Sequence, residues 1–227
     1  MHRLPLVLIL SAACALATTR PAGAADPHPF TVRDLVAMDR LSEPAVSPDG
    51  SRIALTISAL DLDANRRRAD IWLVDIDGAN LRRLTTDPAN DTSAVWHRDG
   101  QHVYFLSSRG GSSQVWQADV GSGRETQVTR LPLDVNAFKL SADGRSLVVS
   151  LDVFVDCDTV ACTADRLAAK EKTKASGQTY DRLFVRHWDT WSDGRRAHLF
   201  VVPVAGGAAV DVMKGDLQLR VGNSFLW

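Results

Sequence analysis

Glu43-Pro-Ala-Val-Ser-Pro-Asp-Gly-Ser-Arg-Ile-Ala-Leu-Thr-Ile57 sets a short apolar run, an Asp-Gly pair and an alternating β-rich run side by side. Asp-Gly between such runs suits a tight hairpin turn, because both central residues can adopt positive φ. The same arrangement returns in Ser93-Ala-Val-Trp-His-Arg-Asp-Gly-Gln-His-Val-Tyr-Phe-Leu106 and in Ala137-Phe-Lys-Leu-Ser-Ala-Asp-Gly-Arg-Ser-Leu-Val-Val149. Their glycines, Gly50, Gly100 and Gly144, stand 50 and 44 residues apart.

A second hairpin follows each of these. Asp70-Ile-Trp-Leu-Val-Asp-Ile-Asp-Gly78 leads to Leu81-Arg-Arg-Leu-Thr85, and Gln114-Val-Trp-Gln-Ala-Asp-Val-Gly-Ser-Gly123 leads to Thr126-Gln-Val-Thr129. His198-Leu-Phe-Val-Val-Pro-Val-Ala-Gly-Gly207 leads to Val210-Asp-Val-Met213. Trp72 to Trp116 and Thr85 to Thr129 are both 44 residues, so two landmarks share one period. Four short strands per repeat of this length predict an all-β fold, a partial β-propeller of about three four-stranded blades. A β-sandwich of recurrent hairpins is the ordinary alternative. By position, Asp49, Asp99 and Asp143 are turn residues, Trp72 and Trp116 are blade packing, and Arg66 to Arg68 is a solvated loop.

The third repeat is interrupted. Gly144 to Phe200 is 56 residues where Gly100 to Trp116 is 16, an insertion of roughly 40 residues placed at about 152–192. It holds Cys157 and Cys162, a helix-prone run over 164–174, and an aromatic segment from Tyr180 to Trp191. Long insertions in repeat folds map to loops that often reach a binding face. His187, Trp188, Asp189 and Trp191 are therefore candidates for a peptide-facing wall, with anchoring of the insertion as the plainer role.

The first 25 residues read as a cleaved secretory signal. His2 and Arg3 precede an apolar run from Leu4 to Ala17, and Ala22-Gly-Ala24 supplies small residues before cleavage. A retained anchor and lipidation at Cys14 are the alternatives. Of the 227 residues, 202 then remain, carrying 24 basic and 27 acidic side chains. That balance gives no polyanion signal, and a nucleic-acid partner is not expected, nor a membrane partner once the signal is removed. Periplasmic or secreted placement puts Cys157 and Cys162 in an oxidising compartment, where they are a disulfide candidate. Free thiols compete with that reading. No second Cys pair exists for zinc, and His187 and His198 would complete a ligand set only by coincidence of fold, so no metal and no cofactor are expected.

The Ser47-Pro-Asp-Gly-Ser-Arg-Ile-Ala54 pattern, with Ile71-Trp-Leu-Val-Asp75 and Arg82-Arg-Leu-Thr85, resembles the propeller repeats of prolyl-oligopeptidase-family serine peptidases and of TolB. Phe154-Val-Asp-Cys-Asp-Thr-Val-Ala-Cys162 and Arg182-Leu-Phe-Val-Arg-His-Trp-Asp-Thr-Trp-Ser-Asp-Gly-Arg-Arg-Ala-His-Leu-Phe200 are similar to the exported dipeptidyl- and acylaminoacyl-peptidase branch. Phe30 to Met38 resembles the short helix that leads into such propellers. The resemblance implies a propeller that gates peptide access to an α/β-hydrolase domain bearing Ser, Asp and His. No Gly-x-Ser-x-Gly occurs here; Gly222-Asn-Ser-Phe-Leu226 lacks the second glycine. The expectation is an N-terminal portion, catalytically inactive alone, whose missing partner is the hydrolase domain and whose peptide substrate belongs to the intact enzyme. Its organisation is then a signal over 1–25, a leading segment over 26–42, a partial propeller over 43–213 and an irregular tail over 214–227. A TolB-like periplasmic interaction propeller without catalysis is the rival reading, and ring completion by self-association a third.

Overall fold

The computed structural model describes residues 28–173, 177, 180, 186–188 and 190–214. The signal expected over 1–25, residues 215–227 of the expected tail, and Asp189 lie outside these residues. Met1–Val36 and Ala37–Trp227 form two separate units. In the first lies most of α1 (Val32–Ala37), where Thr31 and Asp34 cap each other: Thr31 N–H and Oγ donate to the Asp34 carboxylate at 2.7 and 2.6 Å.

From Arg40 onward the described strands are organised as antiparallel sheets. Blade I takes β1 (Arg40–Val46), β2 (Arg52–Asp61), β3 (Arg66–Asp75) and β4 (Arg82–Arg83), paired in chain order. Blade II repeats this with β5 (Asp91–Trp96), β6 (His102–Ser107), β7 (Gln114–Asp119) and β8 (Glu125–Gln127). Blade III uses β9 (Ala137–Leu140) and β10 (Ser146–Val153), then leaves the sheet. The chain passes through α2 (Val160–Glu171) and a small hairpin of β11 (Arg186–His187) and β12 (Thr190–Trp191). It returns as β13 (Arg196–Pro203), paired with β10 from Ser146↔Pro203 to Val153↔Arg196, and closes with β14 (Val210–Asp211). Three four-stranded sheets, the third split by an inserted helix, make a partial propeller. The helix begins at Val160, ahead of the run expected from Ala164, because Thr159 accepts a hydrogen bond from Cys162 N–H and so caps it four residues earlier.

Each sheet has two faces, and the alternation along β6 shows how they are used. Val103 and Phe105 point to a core shared with Ala54, Ile71 and Leu73 of blade I. Tyr104 and Leu106 point the other way, to a core shared with Phe138, Leu147, Val149 and Phe200 of blade III. Period-2 side-chain direction therefore joins three sheets through two cores, both built on blade II. Helix α2 lays Val160, Ala164 and Leu167 against the second core.

The repeat is as clear in its hydrogen bonds. Thr85 Oγ1 accepts from Ile71 N–H at 3.0 Å and Thr129 Oγ1 from Val115 N–H at 2.9 Å, each across 14 residues. In blade III the same offset joins Leu199 N–H to Met213 Sδ at 3.3 Å. The turns differ from expectation in one respect. Gly50, Gly100 and Gly144 have φ of +73°, +66° and +73°, but the aspartates before them do not enter the left-handed region. Gly50, Gly100 and Gly144 N–H donate back to the carbonyls of Ser47, His97 and Ser141. These are ordinary turns closed by a left-handed glycine, not turns with two positive-φ residues.

Candidate functional site

Two places on this scaffold gather groups suited to holding a ligand. The first is the insertion. Where β10 ends, Phe154 N–H donates to Thr163 Oγ1, Cys157 is disulfide-bonded to Cys162, and Arg166 makes two 2.9 Å bonds to Asp156 while its guanidinium covers the Phe154 ring at 4.5 Å. These contacts fix the start of α2 to the blade. Further on, Trp188 occupies the tip of the β11–β12 hairpin at φ +53°, 84% exposed. A bulky residue at positive φ is backbone strain of the kind found at binding sites. Trp191 stacks on Tyr180 at 5.9 Å and 26°, and the Arg186 guanidinium lies 5.2 Å from its ring. The structure thus brings His187, Trp188 and Trp191 onto one hairpin, where the His187 backbone pairs with Thr190. An aromatic pair with an adjacent cation can stack on a peptide's side chains and pair with its carboxyl or carbonyl groups.

The second place is a cavity of about 740 Å³ where the first strands of the three blades meet, lined among others by Glu43, Ser93, Trp96, Phe138 and Lys139. Its shape comes from matching irregularities: β1 shifts register between Ser42 and Ala45, and β5 between Thr92 and Val95. Glu43 and Ser93 sit at those bulges with φ of +53° and +60°. The Glu43 carboxylate accepts from Ser93 N–H at 2.7 Å and from Thr56 Oγ1 at 3.0 Å, which locks blade I to blade II beside the cavity. Trp96 Nε1 adds a 2.8 Å bond to the Ala45 carbonyl. Sequence reading missed Glu43 and Ser93; they share the position seven residues before the turn glycine, which was the available signal.

Two clusters of charged and titratable groups lie in the middle blade. Arg109 pairs with Glu125 and, at 2.8 Å, with the fully buried Asp91, and its guanidinium sits 4.6 Å from the Trp116 ring. Burial pushes the Glu125 carboxyl up by more than the hydrogen bond from Arg109 pulls it down. At the β5–β6 turn, His97 Nδ1 and His102 Nδ1 each lie 2.8 Å from one Asp99 oxygen. Burial raises Asp99, but the Gln101 N–H and the two rings outweigh it and hold the carboxyl at about 2. The equivalent turns hold Asp49 at about 2 through the Ser47 hydroxyl and then the Ser51 N–H. Among the described residues no helix is long and apolar enough to cross a membrane.

Comparison with known proteins agrees with this architecture. The family described as "TolB beta propeller domain" matches residues 35–166. Dipeptidyl-peptidase 5 of Porphyromonas gingivalis is 26% identical over 203 residues, covering 88% of this chain and 29% of that protein. Its counterpart in Porphyromonas endodontalis is 26% identical over 193 residues, covering 83% and 27%. The solved acylaminoacyl peptidase of Pyrococcus horikoshii superposes with a TM-score of 0.58 at 14% identity, over 78% of this chain and 25% of that one. The chain spans less than a third of the length of these curated relatives. Most of this chain is thus similar to a part of dipeptidyl-peptidase 5, and its fold to a part of an acylaminoacyl peptidase, the two peptidase types that the insertion resembles.

Proposed function

Because the chain belongs to the TolB beta propeller domain family, we propose that it serves as the propeller portion, over 43–213, of an exported exopeptidase of the dipeptidyl or acylaminoacyl type. In that role it admits short peptides and excludes folded chains, while a hydrolase portion supplies the serine nucleophile, its base and the oxyanion donors. The observation that carries the reading is similarity to dipeptidyl-peptidase 5 over 203 residues, a length that takes in the insertion as well as the repeats. Residues 1–25 act as the signal that delivers it to the periplasm or medium. His187, Trp188, Asp189 and Trp191 position the peptide, with the stacked Tyr180–Trp191 pair and the Arg186 guanidinium supplying aromatic faces and a charge.

The rival, a TolB-like interaction propeller, is favoured by the family match alone. Tryptophan emission separates the two. Titrating the chain with tetrapeptides should quench emission saturably, and Trp188→Ala and Trp191→Ala should each weaken the response. Saturable binding of a folded partner protein, with no response to tetrapeptides, would overturn peptide positioning and leave the interaction module. No turnover of dipeptidyl amides is expected from the chain alone.

A further inference from the structure

The β5–β6 turn of blade II departs from its own repeat. In blade I the turn begins with Ser47, whose hydroxyl donates to Asp49 at 2.6 Å and accepts from Arg52 N–H at 2.9 Å. In blade III, Ser141 does the same with Asp143 at 2.6 Å and Ser146 N–H at 3.0 Å. Those turns satisfy themselves. Blade II carries His97 in place of the serine and His102 where the others carry Arg52 and Ser146. The result is two imidazole nitrogens and a carboxylate converging: both Nδ1 atoms are 2.8 Å from one Asp99 oxygen. One ligand atom from each of the three residues can be chosen so that all lie within 4.8 Å of one another.

We propose that His97, Asp99 and His102 form a binding site for a divalent cation of the zinc class, with water completing the coordination on the exposed side of Asp99. Two imidazoles and one carboxylate are the donors such ions select, whereas magnesium and calcium favour all-oxygen sets. His97 Nδ1 accepts from Asp99 N–H at 3.4 Å, so its lone pair is presented beside the carboxylate, and His102 Nδ1 faces the same Asp99 oxygen. A cation held there by both Nδ1 atoms, with each ring proton on Nε2, opens the donor separations from 2.8 Å to about 3.0–3.4 Å, the span around an ion with bonds near 2.0–2.1 Å. His102 is prepared for the change, because its Nε2 already faces the Asp119 carboxylate at 3.9 Å. A carboxylate behind a ligating histidine fixes the tautomer and the ring orientation. His97 is held from the other side by blade III: a side chain at Gly144 would put its Cβ 2.1 Å from His97 Nε2, so only glycine leaves the ring its place. The site therefore ties the turn of blade II against blade III, and it stands whether or not the peptidase reading does.

The test uses the full chain, stripped with chelator and free of any histidine tag. Zinc titration by calorimetry should give one site, and cobalt should develop a visible absorption band. His97→Ser and His102→Arg restore residues found in the sister turns, so both variants should fold with unchanged circular dichroism. Each should weaken zinc binding more than about tenfold, and Asp119→Asn by about tenfold. Absence of zinc binding to the native chain at millimolar metal would overturn the proposal. So would affinity unchanged in well-folded His97→Ser and His102→Arg.

Discussion

Gly144 and His97 show how one missing side chain can set the geometry between two blades. All three turn glycines are left-handed, so an alanine at any of them carries the same backbone cost, about 1–2 kcal/mol. At Gly50 and Gly100 a new Cβ would meet nothing within 4 Å, while at Gly144 it would collide with the His97 ring. Gly144→Ala is therefore expected to destabilise by about 1–3 kcal/mol more than Gly100→Ala, the usual cost of overpacking a filled site. Adding His97→Ser should recover that excess and leave the backbone term, as a double-mutant cycle in chemical denaturation would show. An equal cost for the two alanines would mean the ring moves aside without loss. The three turns look alike in sequence, and their Asp-Gly pairs were enough to place them. What could not be read was the partner across the blade boundary, because the His97–Gly144 contact depends on how two sheets pack and on no local pattern.

At the scale of the element, blade II is clamped by one arginine. Arg109 follows β6, yet it reaches Asp91 at the start of β5 and Glu125 in β8, so three strands share one cation. Asp91 is buried and one of its oxygens has no hydrogen-bond partner, so the carboxylate relies on this pairing. Arg109→Ala should cost about 3–5 kcal/mol, since it strands a buried charge, and replacing Arg109 and Asp91 together by apolar residues should cost less than the single change. Urea denaturation of the two variants decides it. If the double variant is the less stable, the clamp is not an electrostatic one. Strand number and order were legible from the recurring β-rich runs and the spacing of the turns between them. The clamp was not, because Arg109 lies in an unremarkable Ser-Ser-Arg-Gly-Gly loop and its partners are distant in sequence. The aromatic hairpin lies between these cases. Tyr180, Arg186 and Trp191 stood out by composition, but their stacking follows only once β11 and β12 pair.

For the three blades taken together, stability should follow the number of packed faces. Blade II contributes to both cores: Val103, Phe105 and Ala118 to one, Tyr104, Leu106 and Val115 to the other. Blades I and III each meet only one of those cores, and blade I leaves Leu41, Val46, Ile76 and Leu81 more than half exposed. Cooperative openings of a repeat array are governed by its interfaces, so such an array frays from the blades with a single packed neighbour. Native-state hydrogen exchange should find the slowest amides in β6 and β7, and faster exchange in the two-residue strands β4 and β14. Phe105→Ala, which empties a fully buried position on the blade I side, should cost about 3–5 kcal/mol at that interface. Protection should then fall across β2 and β3, while β10 and β13, which rest on the other core, keep theirs. Loss spread evenly over all three sheets would show that the array unfolds as one cooperative unit, and the two cores would have to be treated as a single one.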